Sequence, residues 1–171
     1  LREDKALLTS PDILGHDDYF IRRIFLAGSI ENEKAIDWQA DLYEKVMKGL
    51  TKNNREDLFN ESVVFFNPRR KEWNPNASEK ELTTQINWEL SHLTESNIVF
   101  FFLAKGTISP ISLLELGLMI RTNKKIIVVC EDDYFRATNV SETLRFFRNQ
   151  FVFSTLEDGI NALIKEISLE L

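Results

Sequence analysis

The sequence predicts an α/β single domain, flavodoxin-like or Rossmann-like, with a five-stranded parallel sheet and helices on both faces. Three observations predict it. Apolar runs are short and uninterrupted, helical stretches alternate with them, and no two-residue hairpin turn joins one run to the next. Residues 1–20 are mixed and aperiodic, with Pro11, Gly15 and the pair Asp17 and Asp18, and read as an N-terminal arm; residues 21–171 read as the domain. The first strand is Ile21 to Ala27, stopped by Gly28-Ser29. Trp38, Leu42, Val46 and Leu50 recur every four residues, the stripe of an amphipathic helix from about Lys34 to Leu50. Ser62 to Phe66 is the second strand, ending at Asn67-Pro68, and Leu82, Ile86, Leu90 and Leu93 mark the buried stripe of the next helix. The pattern then repeats with a strand at Asn97 to Leu103, a helix at Pro110 to Thr122, and a strand at Lys125 to Cys130. A weaker fifth strand, Gln150 to Phe153, and a last helix from Leu156 to about Leu169 complete it.

Composition narrows the function classes. At 171 residues and 43% hydrophobic, the chain can build one core without cross-links, and a lone Cys130 excludes a disulfide framework. A net charge of −6 argues against a surface that grips a nucleic acid polymer by neutralising phosphates. The longest apolar run, Ile98 to Ala104, is far short of the roughly 20 residues a membrane helix needs, and the N-terminus lacks a signal peptide's layout, so a cytoplasmic protein without a membrane segment is expected.

Ligands of such sheets bind at the carboxyl ends of the strands, near the reversal of strand order. Those ends carry Gly28-Ser29-Ile30-Glu31, Asn67-Pro68-Arg69-Arg70, Ala104 to Ser109 and Glu131-Asp132-Asp133. Ser109-Pro110 reads as N-cap and first helical residue. The helix it opens is apolar almost all round except for Ser112 and Glu115, so its surroundings should be largely buried. A carboxylate there costs several kcal/mol unless it is paired, so Glu115 has either a fixed partner, such as Arg69 or Arg70, or a chemical task. Gly117 costs that helix about 1 kcal/mol relative to Ala, which suggests close approach of another backbone or a ligand. Gln85, Glu89 and His92 form a polar line beside the preceding helix's stripe, which places a second carboxyl at the same crevice unless Glu89 bends into water. Two inward carboxyls suit glycosyl transfer, one attacking or stabilising the anomeric carbon while the other handles the leaving group's proton.

Other chemistries find less support. There is neither a Gly-x-Gly-x-x-Gly nor a phosphate loop, and His16, His92 and one cysteine do not make a zinc site. Cys130 reads as core, and Glu131-Asp132-Asp133 as either a Mg²⁺ ligand cluster or a solvated loop. Arg69 and Arg70, near Trp73, suit a carboxylate or phosphate.

Ile24-Phe25-Leu26-Ala27-Gly28-Ser29-Ile30-Glu31, Asp37-Trp38-Gln39, Asn67-Pro68-Arg69-Arg70 with Trp73, Gln85-Ile86-Asn87-Trp88-Glu89-Leu90, and Ser109 through Gly117 together resemble the nucleoside 2-deoxyribosyltransferase superfamily, which includes the 2′-deoxynucleoside 5′-phosphate N-glycosidases. The matches run in the family's order from about Ile24 to Cys130. The resemblance implies that Glu115 attacks C1′ of a deoxynucleoside and that a second base accepts the sugar in transferases, water in hydrolases. Glu89 then matches a position that is Asp in many relatives, and is the second catalytic carboxyl. Gly28, Ser29, Asp37, Asn67, Arg69, Arg70 and Ser109 become the candidate substrate-binding residues. No cofactor or metal is implied, since two carboxyls suffice for two displacements. The expected partners are a nucleoside or nucleotide substrate, a nucleobase acceptor and further copies of the chain, with residues 1–20 and Phe146-Phe147 as contributors to the contact. Hydrolysis of a 5′-monophosphate is the nearest alternative, and a non-catalytic nucleotide-binding module the alternative from another class.

Overall fold

The computed structural model of the chain describes residues 6–14, 20, 22–30, 36–52, 63–70 and 76–169. Among them, strands β1 (Leu7–Thr9), β2 (Arg22–Gly28), β3 (Val63–Asn67), β4 (Ile98–Leu103) and β5 (Lys125–Cys130) form one parallel sheet in the order β1-β3-β2-β4-β5. Helices α1 (Trp38–Lys52), α2 (Glu79–Glu95) and α3 (Pro110–Ile120) alternate with the strands from β2 to β5, and α4 (Ala137–Arg148) and α5 (Leu156–Ser168) follow β5 in succession. From β2 the chain steps outward to β3, then crosses back over β2 to β4. The order therefore reverses between β2 and β4, and the carboxyl ends of those strands flank the crevice where such sheets bind ligands.

Side chains alternate across each strand and sort into two cores. Phe25, Ala27, Phe66, Val99 and Phe101 face α2, α3 and α4. Ile24, Leu26, Phe65, Phe100 and Phe102 face α1 and α5. The neighbouring phenylalanines 65 and 66 thus serve opposite faces, and the run Phe100-Phe101-Phe102 is buried throughout. Helix α1 buries Trp38, Leu42, Val46 and Leu50, as its four-residue spacing predicts. Helix α2 begins at a capping box, with the Ser78 side chain on the Glu81 N–H and the Glu81 carboxylate on the Ser78 N–H.

Four expectations need correction. The sheet's fifth strand is β1, inside the stretch read as an arm; Gln150 to Phe153 contributes a single bridge, Val129 to Phe153. A three-residue edge strand is too short to show a period, which is why Leu7–Thr9 escaped detection. Helix α4 was missed because only Val140 and Leu144 face inward, too few for a stripe, while Phe146 and Phe147 point out. On α2 the aliphatic row is outside: Leu82, Ile86 and Leu90 are about half exposed, whereas Gln85, Trp88, His92 and Leu93 are buried. The aromatic pair wins the interior because Trp88 and His92 stack at 4.2 Å and both rings meet Phe66. Lastly, α3 is not enclosed, since Ile111, Leu114, Gly117 and Leu118 face water. Glu31, Trp73, His16 and the predicted element ends at Ile21, Lys34 and Ser62 lie outside the described residues.

Candidate active site

Gly28 closes β2 at φ 149°, and a Cβ there would collide with the Phe102 carbonyl oxygen, so the chain can pass this close to β4 only as glycine. The next residue is held from both sides. Ser29 N–H donates to Phe102 O at 2.9 Å, and Trp38 Nε1 donates to Ser29 O at 2.9 Å. The fully buried Ser29 hydroxyl then meets Thr107 Oγ1 at 2.7 Å and Ser109 Oγ at 2.8 Å, with Thr107 and Ser109 3.0 Å apart. Thr107 Oγ1 donates to Ala104 O, while Ala104 N–H donates to Ser29 Oγ. Two hydroxyl protons are thus left to serve three short contacts, so the ring has more acceptor capacity than donors.

Ser109 is the N-cap residue of α3, as predicted, but it does not cap with its side chain. It lies in the left-handed region at φ 46°, ψ 51°, and spends its hydroxyl on the Ser29 and Thr107 ring. The first N–H groups of α3 are left without a side-chain cap.

Glu115, one and a half turns further on, points inward and is 6% exposed. Among the described residues no hydrogen bond or ion pair reaches its carboxyl. Neither Arg69 nor Arg70 serves as its fixed partner, because both are engaged elsewhere. Arg69 Nη1 donates to Ile36 O at 3.1 Å and Gln39 Oε1 at 3.4 Å and stands 3.9 Å from Asp37 Oδ1. Arg70 donates to Gln85 Oε1 at 2.8 Å and Glu81 O at 3.2 Å. Burial, and then the neighbouring charge of Glu89, push the Glu115 pKa up to about 8.

Glu89 also faces the seam between α2 and α3, half-buried rather than bent into water. Gln85 Nε2 donates to Glu89 Oε1 at 2.5 Å and to Pro68 O at 3.1 Å, and Arg70 holds the other end of that amide. Burial raises the Glu89 pKa, opposed by the Gln85 hydrogen bond and the Arg70 charge. The chain Arg70–Gln85–Glu89 therefore orients one carboxyl, while the other, Glu115, feels burial and the charge of Glu89. A cleft of about 730 Å³ opens beside this chain, lined by Arg70, Gln85, Lys80, Thr84 and the Thr9 to Asp12 turn. A second depression, around Arg121 and Arg148, lies at the opposite end of the sheet, where β5 begins.

The remaining candidates have local roles that shape the site's floor. Asn67 Oδ1 accepts the Arg69 N–H at 2.9 Å and fixes the loop after β3. Asp37 is exposed, accepts the Ala40 N–H at 3.2 Å as a cap of α1, and faces Arg69. Cys130 is core, its thiol pKa pushed up to about 11 by burial and then by Asp132 and Glu131. The Glu131 carboxylate accepts the Lys105 N–H at 2.7 Å.

Residues 21–134 match the family model described as nucleoside 2-deoxyribosyltransferase like, two-thirds of the chain. The chain belongs to this family. No curated protein matches the sequence. A crystal structure of a conserved protein from Enterococcus faecalis V583 is similar in fold, with a TM-score of 0.56 at 14% identity over 88% of this chain and 99% of that one. The matched stretch of this nucleoside 2-deoxyribosyltransferase-like chain contains all nine predicted site residues. Two further members of the site were missed. Thr107 sits in a loop with no periodic signal, and Gln85, noticed as polar, gave no sequence sign that it would bridge Arg70 to Glu89. Among the described residues no helix is long and apolar enough to cross a membrane.

Proposed function

We propose that the protein cleaves the N-glycosidic bond of a 2′-deoxynucleoside and transfers the deoxyribosyl group to another nucleobase, with Glu115 as nucleophile. The observation that carries this reading is the buried, unpartnered Glu115 beside an oriented Glu89, where the strand order reverses. A carboxyl with no structural partner in a low-dielectric seam is poised for a task rather than for stability. The proton that burial holds on Glu115 passes through Glu89 to the base nitrogen. The freed Glu115 oxygen bonds to C1′ as the C1′–N bond breaks and its electron pair leaves with the base. An acceptor base nitrogen then attacks C1′, the glycosyl ester breaks, and the acceptor's proton returns to the carboxyl pair.

One observation favours hydrolysis of a nucleoside 5′-monophosphate as a second reading. The Ser29–Thr107–Ser109 hydroxyls lie beside N–H groups without a side-chain cap at the start of α3, a setting suited to a phosphate. Chromatography of the protein with deoxynucleosides and their 5′-monophosphates, each with and without adenine or cytosine, separates the two. A new nucleoside that forms only with acceptor and disappears in Glu115→Ala supports transfer. Free base and sugar phosphate from monophosphates alone assign hydrolysis. No turnover on either series, with ligand-dependent thermal stabilisation retained in Glu115→Ala, would replace both by a nucleotide-binding module.

A further inference from the structure

The turn after β1 brings to the site a carboxylate from outside residues 21–134, the stretch that matches the family. Strand β1 pairs with β3 through Leu7, Leu8 and Thr9, and the chain then turns back with the Asp12 N–H on Thr9 O at 2.7 Å. Trp88 Nε1 donates to Asp12 O at 2.7 Å and pins the turn to α2. Both anchors use the main chain of Asp12. Its side chain receives the Thr9 hydroxyl at 3.4 Å on Oδ2, and Oδ1 has no partner among the described residues.

Asp12 lines the cleft of about 730 Å³ together with Arg70, Lys80, Glu81 and Gln85, a volume in the range of small-molecule sites. Two cations and two carboxylates balance there, so a multiply charged anion finds little net attraction. Glu81 is committed to the cap of α2, where it accepts from the Ser78 N–H at 2.7 Å and the Ser78 hydroxyl at 2.8 Å. Arg70 spends Nε on Gln85 Oε1 and Nη2 on Glu81 O, which leaves Nη1 as a donor. The cleft therefore offers a neutral ligand a two-oxygen acceptor from Asp12 and a guanidinium donor from Arg70. Gln85 joins this cleft to the carboxyl seam, because its Nε2 donates to Glu89 Oε1.

We propose that the cleft takes the nucleobase and that Asp12 selects guanine. A carboxylate is acceptor-only and matches two adjacent N–H donors with its two oxygens. Guanine presents N1–H and its N2 amino group side by side, and its O6 and N7 form an acceptor pair that suits an arginine. Adenine and cytosine set a ring-nitrogen acceptor beside their amino group, which a carboxylate repels, and thymine has a single N3–H between two carbonyls. This inference rests on the site being a nucleoside-cleaving centre and adds which base it reads.

Isothermal titration calorimetry tests it with Glu115→Ala, which on the proposed reaction cannot turn the ligand over. The probes are 2′-deoxyguanosine and 2′-deoxyinosine, which differ only in the N2 amino group. The first is expected to bind at least about 10-fold more tightly, the worth of one charge-assisted hydrogen bond. Adding Asp12→Asn should erase that advantage and change 2′-deoxyinosine little, since the Asn oxygen still accepts N1–H. The fold should survive, because both anchors of the turn are main-chain, and far-UV circular dichroism checks this. Equal affinity for the two probes, tighter binding of 2′-deoxyadenosine or 2′-deoxycytidine, or a guanine preference that outlasts Asp12→Asn overturns the inference. So does the binding of no deoxynucleoside at all. Wild-type turnover without a guanine preference overturns this inference and leaves the reaction standing, whereas guanine-selective binding without any turnover does the reverse.

Discussion

Glu115 is a liability to the fold in proportion to how often it is ionised. Its pKa is about 8 in the folded protein against an ordinary 4.5, so between those values the native state holds a proton that the unfolded chain releases. Stability linked to this group is therefore fully present below pH 4.5 and is lost as pH rises through 8. Glutamine imitates the protonated carboxyl at every pH. Glu115→Gln should match the wild type at pH 5, melt at a higher temperature by pH 9, and show the gap opening between the two. Thermal unfolding at pH 5, 7 and 9 reads this directly; a constant gap would mean that Glu115 is not desolvated as the structure has it. The same residue was the most legible of the site from sequence, because a single carboxylate in an apolar helix is an anomaly that local pattern exposes. Thr107 was not legible, since its place beside Ser29, 78 residues away, is decided by how β2 and β4 pair.

At the scale of elements, β2 to β5 and helices α1, α3 and α5 were legible because each writes its own period in the chain. The face of α2 was misread because aliphatic spacing was weighed against Gln and His by hydrophobicity alone. Packing decides otherwise: Trp88 Nε1 donates to Asp12 O at 2.7 Å, and the ring lies against Phe66 and His92. A tryptophan so placed brings more buried area than any leucine in the row and also needs a partner for its N–H. Trp88→Ala should then cost about 3–5 kcal/mol in urea unfolding. Leu82→Ser, on the outward row, should cost the isolated protomer within about 0.5 kcal/mol. The reverse ranking would return the inner face to the leucines. Turning Trp88 inward is also what turns Gln85 and Glu89 toward the seam, so the reading of the helix face and the reading of the site stand together.

For the whole molecule, the alternation of strands and helices was enough to give the parallel sheet, while β1 pairs with β3 by register that no local pattern encodes. The exposed aliphatic rows of α2 and α3 belong to this scale too, because they are where the assembly of copies that the family resemblance implies would bury apolar surface. If the native state is a dimer that the unfolded chain is not, folding and association are one equilibrium, and the melting temperature of the wild type should climb with protein concentration. Gly117→Glu puts a charge on the exposed face of α3, where a Cβ meets nothing within 4 Å, so it should break the second process and spare the first. Its melting temperature should be independent of concentration, and the wild-type curve should fall toward or below it on dilution, because the variant lacks the association energy but gains about 1 kcal/mol of helix propensity. Differential scanning calorimetry over a hundredfold range of concentration gives both slopes. A flat wild-type curve would show that the rows contribute nothing to the folded assembly, and that the cost of Gly117 is borne for some other contact.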